Sequence, residues 1–157
     1  LDLRNNPGGY LGAAVDMASY FLPSGKVIVT EDYGLKKQPL IHRSKGLGLF
    51  DKKKKMAVLV NGGSASASEI LAGALQDYGI ATLVGEKSFG KGSVQELIPI
   101  TDDTSLKLTI ARWTTPNGHQ INHEGLTPTF VIKITEEDFE KGKDPQMDKA
   151  VQFLKEK

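Results

Sequence analysis

Apolar positions change their period along the chain, and each change marks an element. Leu11, Ala14, Val15, Ala18, Phe21 and Leu22 recur at helical spacing, which predicts a helix over 11–22 that Pro23 and Gly25 stop. Leu1 to Arg4 reads as a short strand running into the breakers Asn5-Asn6-Pro7-Gly8-Gly9. Val27 to Thr30 is a β-branched strand. Met56 to Val60 is apolar without interruption, as strands buried on both faces of a parallel sheet are. A helix is predicted from Ser66 to Tyr78, with Gly79 placed to end it, followed by a second buried strand over Ile80 to Val84. Strand, helix and strand at this spacing form a βαβ unit with a right-handed crossover. Val94 to Ile100 and Leu106 to Trp113 flank the polar Thr101 to Thr104 and predict a hairpin. Pro116-Asn117-Gly118 is a tight turn, Phe130 to Ile134 a last strand, and Pro145 to Leu154 a charged helix. The pattern is weakest over residues 31–50, where Leu40-Ile41 reads as strand and Lys45 to Leu49 as loop. The layout is α/β, with no repeat and no linker.

Composition narrows the function classes. A chain of 157 residues suits one domain with a true core. With 20 basic and 19 acidic residues the net charge is +1, so no strong field draws it to nucleic acid or a membrane surface. The absence of cysteine excludes thiolate catalysis, disulfides and cysteine-held zinc, and suits an oxidising compartment. No apolar run approaches the roughly 20 residues that span a bilayer. The chain opens inside an apparent strand without an initiating Met, so a fragment of a longer protein is expected.

Three segments carry candidate chemistry. In Asn61-Gly62-Gly63-Ser64-Ala65-Ser66-Ala67-Ser68-Glu69-Ile70, the run Ser66-x-x-Glu69 is a capping box ahead of an apolar helix. The same geometry places a serine beside free backbone N–H groups able to stabilise an oxyanion. Spacing does not choose among Ser64, Ser66 and Ser68. The second segment, Gly85-Glu86-Lys87-Ser88-Phe89-Gly90-Lys91-Gly92-Ser93-Val94-Gln95, nearly matches a phosphate-binding loop, but Gly92 occupies the hydroxyl position and the following residues read as extended. An extended run would put Lys91, Ser93 and Gln95 on one face, letting Gln95 orient the Lys91 amine. The competing reading is a solvated lysine in a turn. Third, His119 and His123 stand four apart, yet Gln120 replaces the Glu of a zinc helix and a turn precedes them, so no metal is expected. Lys52 to Lys55 reads as a solvated lead-in to a strand.

Taken together, Leu1-Asp2-Leu3-Arg4-Asn5-Asn6-Pro7-Gly8-Gly9, the serine segment and the lysine loop resemble the C-terminal processing peptidases, also called tail-specific proteases. The likeness continues through Thr115-Pro116-Asn117-Gly118 and Gly125-Leu126-Thr127-Pro128 to Asp144-Pro145-Gln146, with Thr129 where many members carry Asp. It implies a crotonase/ClpP-like α/β core and a Ser–Lys endopeptidase. By position the nucleophile falls on Ser66, the general base on Lys91, and the residue orienting that base on Gln95. Oxyanion donors would be the backbone N–H groups of Gly9 and Ala67, with Gly8 the alternative.

The resemblance implies no cofactor. Its partners would be protein or peptide substrates with exposed C-terminal tails and a PDZ domain in the same full-length chain; it leaves room for a homo-oligomer. Residues 1–157 would be the C-terminal part of the catalytic domain, the upstream segment and PDZ domain lying outside, in an extracytoplasmic setting such as the periplasm or cell envelope. A neutral Lys91 working near pH 8 needs its pKa lowered by about two units from ~10.4, roughly 3 kcal/mol. Burial without a carboxylate partner supplies such a shift, so Lys91 is expected to be buried and free of an ion pair. The alternative is an inert crotonase-like scaffold or binding fragment.

Overall fold

A computed structural model describes residues 1–50 and 54–156. The order is α1 (Leu11–Ser19), β1 (Val27–Asp32), β2 (Leu40–Arg43), β3 (Ala57–Val60), α2 (Ala67–Asp77), β4 (Thr82–Gly85), β5 (Ser93–Pro99), β6 (Ser105–Thr114), β7 (Phe130–Val131), α3 (Glu136–Glu140) and α4 (Pro145–Lys155). Two sheets form. One has the order β3-β4-β7 and is parallel; the other, β2-β1-β6-β5, is antiparallel.

The parallel sheet gains a further ribbon at its β3 edge. Leu3 N–H donates to Leu59 O and Leu59 N–H to Leu1 O, both at 2.9 Å, so Leu1 to Leu3 runs parallel to β3. The expected strand is therefore present as an isolated bridge. All four residues of β3 are buried because both faces of the sheet are covered. Val58, Val60 and Leu83 point into the main core with α1 and α2, while Ala57, Leu59 and Val84 pack with Ala150 and Phe153 of α4.

Helix α2 lies at the centre, with Ala67 through Leu75 all buried. Burial all round, not one apolar stripe, marks a helix enclosed by other elements; here α1, β1 and β4 pack against it. It ends as its Gly79 predicts. Gly79 has φ 64°, its N–H donates to Gln76 O, and Ile80 N–H donates to Leu75 O, the paired bonds that close a helix on a left-handed residue.

Several boundaries move from the sequence expectation. The first helix stops at Ser19, and residues 20–22 complete it as a turn bonded to Met17 and Ala18. The last strand is only Phe130–Val131. Helix α3, unforeseen in the pattern, is five residues capped by Thr135, whose side chain accepts from Asp138 N–H. The β5–β6 hairpin forms as expected and leaves Leu97, Ile100 and Leu106 exposed. Lys52 and Lys53 of the basic run lie outside the described residues; Lys54 and Lys55 are exposed.

Leu75 is fully buried in the main cluster. Leu75→Ala is expected to lower unfolding free energy by about 2–5 kcal/mol, from lost burial plus the cavity left behind; denaturant melts of the two proteins measure it.

Candidate active site

Leu1–Leu3, β3 and β4 are neighbouring parallel strands, and each ends at the same edge of the sheet. Their outgoing loops, residues 4–10, 61–66 and 86–92, therefore meet there. Ligand sites of open parallel sheets lie at this carboxyl edge. Asn5 and Asn61 lock the first two loops together: Asn5 N–H donates to Asn61 Oδ1 at 2.8 Å, and Asn61 Nδ2 donates to Asn5 Oδ1 at 3.0 Å. Phe89 N–H donates to Ser64 O at 3.0 Å and ties in the third.

The three serines separate by what their hydroxyls do. Ser64 is fully buried and donates to Leu3 O at 2.7 Å while accepting from Asn61 N–H. Ser68, also buried, donates to Asn6 O at 3.1 Å. Both hold backbone in place. Ser66 is half-exposed and has φ 56°, ψ −118°, a left-handed conformation that a residue with a side chain adopts only under constraint. A serine on a strained strand-to-helix turn presents its oxygen outward.

The constraint comes from Glu69, which is 1% exposed. Its Oε2 accepts from Ser66 N–H at 2.9 Å and from Lys91 N–H at 3.0 Å. Its Oε1 accepts from Ser88 Oγ at 2.5 Å and Gly90 N–H at 2.7 Å. Four donors thus fill the acceptor sites of one carboxylate. Because one oxygen serves both Ser66 and Lys91, their backbone nitrogens lie within about 6 Å of each other. Ser88 Oγ in turn accepts from Leu126 N–H at 2.7 Å, extending the network to the Gly-Leu-Thr-Pro segment. The capping box and the catalytic candidate are one arrangement.

The opening turn packs directly on this elbow. A Cβ added to Gly8 (φ 91°) would lie 2.5 Å from Ala65 O, 2.7 Å from Ala67 N and 2.9 Å from Ser66 Cβ, so only glycine fits. Gly8 N–H is engaged with Asn6 Oδ1 at 3.0 Å. The N–H groups of Gly9 and Ala67 donate to nothing among the described residues. The strand feeding the turn is clamped by Arg4, whose guanidinium bonds Asp2, Asp144 and Gln146. Arg4 holds the Asp2 carboxyl below the usual carboxylate range, chiefly through their direct hydrogen bond.

Lys91 departs from its expected burial. Its side chain is exposed, while Gly90 and Gly92 on either side are buried. A Cβ on Gly92 would strike Asn122 N at 2.1 Å, and one on Gly90 would meet Gly125 N at 3.1 Å. The backbone is thus drawn onto the 121–125 loop, leaving the side chain at the rim. Lys91 forms no ion pair among the described residues; Glu69 meets its main chain, not its amine. No hydrogen bond joins Lys91 Nζ to Ser66 or to Gln95 among the described residues. The strand begins only at Ser93, and a register shift between Val94 and Gln95 interrupts the alternation that would align Lys91, Ser93 and Gln95. Gln95 is exposed and opposite Thr109. A strand, not a helix, follows the lysine loop, which removes the phosphate-loop geometry. Residues 119–123 are not helical, and His123 has φ 62°, so the two histidines lack a shared helix face.

The profile of peptidase family S41 matches residues 1–132. The chain belongs to that family. Among curated relatives, a carboxy-terminal-processing protease of Bartonella bacilliformis is 47% identical over 133 residues, covering 85% of this chain and 30% of the relative. A carboxyl-terminal-processing protease of Synechocystis sp. is 44% identical over 133 residues, with the same two coverages. The solved photosystem II D1 C-terminal processing protease superposes with a TM-score of 0.76 at 36% identity, over 89% of this chain and 36% of that one. The chain thus spans about a third of the length of these relatives.

In this S41 chain, Glu69→Gln would set an amide NH₂ against two of its present N–H or O–H donors. Expected is a loss of about 1–3 kcal/mol in stability, seen by thermal unfolding. Gly90 and Lys91 amides should also lose hydrogen-exchange protection; unchanged protection there would contradict the bridging role.

Proposed function

We propose that this chain carries the Ser–Lys centre of a serine endopeptidase that cleaves proteins at or near their C-terminal tails. Ser66 attacks the peptide carbonyl and forms an acyl-enzyme, which water hydrolyses. Lys91 takes the serine proton and passes it to the leaving amine. Gly9 and Ala67 N–H groups receive the oxyanion; Gln95 would orient the amine only once the covered lysine loop brings Lys91 Nζ within its reach, because the two are not bonded in the uncovered site. The observation that carries this reading is the single Glu69 oxygen bound to the main chain of both Ser66 and Lys91, beside two unengaged N–H groups.

With Lys91 exposed at the rim, its desolvation falls to the substrate that covers the loop. Displacing water from the amine favours its neutral form. Residues 1–157 are the C-terminal part of the catalytic domain, joined in the full-length chain to a PDZ domain that presents substrate tails. An extracytoplasmic setting fits a chain without cysteine.

The test is proteolysis of an unstructured protein with an apolar C-terminal tail by the full-length polypeptide. Ser66→Ala and Lys91→Ala are each expected to lower turnover about a thousandfold or more. Lys91→Arg should be as inactive, because a guanidinium does not give up its proton. Substantial turnover by Lys91→Arg would end the dyad reading; no turnover by the unsubstituted full-length protein would favour an inert scaffold.

A further inference from the structure

A pocket of about 210 Å³ opens beside the two unengaged N–H groups, in the groove between α1 and α2. Gly9 and Ala67 lie on its lining, together with the apolar Ala13, Ala14, Met17 and Leu71 and the polar Asn6 and Ser68. Its helical residues fall at i, i+3 and i+4 spacings, so they face one groove: Ala13, Ala14 and Met17 from α1, and Ala67, Ser68 and Leu71 from α2. Beyond it lies a second apolar cavity of about 440 Å³ lined by Phe21, Met56 and Ile80. Met17 and Leu1 line both, and so stand between them.

Building on the Ser–Lys reading above, we propose that the smaller pocket takes the side chain on the acyl side of the cleaved bond, and that Met17 sets its depth. The argument is geometric. A carbonyl whose oxygen sits on the Gly9 and Ala67 N–H groups places the substituent of its own α-carbon a few ångströms away. The space available there is this pocket. It offers no charged side chain, and its small residues Ala13 and Ala14 create the opening, so it suits an apolar side chain of modest size. Met17 closes the far end. Met is unbranched and adaptable, and trimming it joins the pocket to the cavity behind. Met17 is 38% exposed, so its replacement leaves the core intact.

Peptides differing only in the acyl-side residue (Ala, Val, Leu or Phe) test this in the full-length polypeptide. Met17→Ala should raise the ratio of kcat/KM for Phe over Ala about tenfold or more, the usual worth of a few methylenes in an apolar pocket. Ala13→Leu, which fills the pocket from one turn earlier on the same helix, should shift the ratio of Leu over Ala the opposite way. Ratios unmoved in both variants, with Ser66-dependent turnover intact, would overturn the pocket assignment alone. If the unsubstituted protein shows no turnover that Ser66→Ala removes, the dyad reading fails first, and the pocket with it.

Discussion

One buried carboxylate holds this site together. Glu69 lies in the first turn of a helix enclosed on all sides, where no water can satisfy it, so each of its acceptor positions must find a protein donor. Those donors come from two loops far apart in sequence. The chain meets the requirement by folding residues 88–91 over the N-terminus of α2 and bending Ser66 into a left-handed conformation. The strain at Ser66 and the position of Lys91 share this one cause.

The sheet supplies the frame around that carboxylate. Parallel strands bring successive loops to a common edge without any special interaction between the loops themselves. The Leu1–Leu3 ribbon, β3 and β4 use this to deliver a glycine turn, a serine elbow and a lysine loop side by side. Arg4 and Gln146 fasten the first ribbon to the start of α4, and Asn5 with Asn61 fastens the turn to the elbow. Rigidity here is polar: hydrogen bonds between loops, above a conventional apolar core.

Much of this was legible in the residues. The unbroken apolar run of β3 announced a strand covered on both faces, and Gly79 announced the end of α2. Strand β2 was hard to see because its residues are mostly exposed and carry no alternation. Helix α3 was missed because five polar-rich residues with one exposed Phe139 show no apolar period. At the site, the Ser66-x-x-Glu69 spacing was read as a helix cap in competition with catalysis. Local spacing could not reveal that Glu69 also reaches Ser88, Gly90 and Lys91, so it could not show that the capping carboxylate gathers both candidate segments. The burial expected of Lys91 came from the chemistry asked of it; the neighbouring glycines, whose buried backbone turns the side chain outward, carried the contrary signal.

Gly8, Gly85 and Gly92 share a property whose consequence reaches beyond this molecule. At each, an added methyl would sit 2.1–2.5 Å from a backbone atom of a neighbouring strand or loop. The geometry of the candidate site is therefore written in main chain pressed on main chain. Grafting a serine, a lysine and a glutamate onto another α/β scaffold would transfer the functional groups without that contact. A designer copying this centre would need to copy the three glycines first.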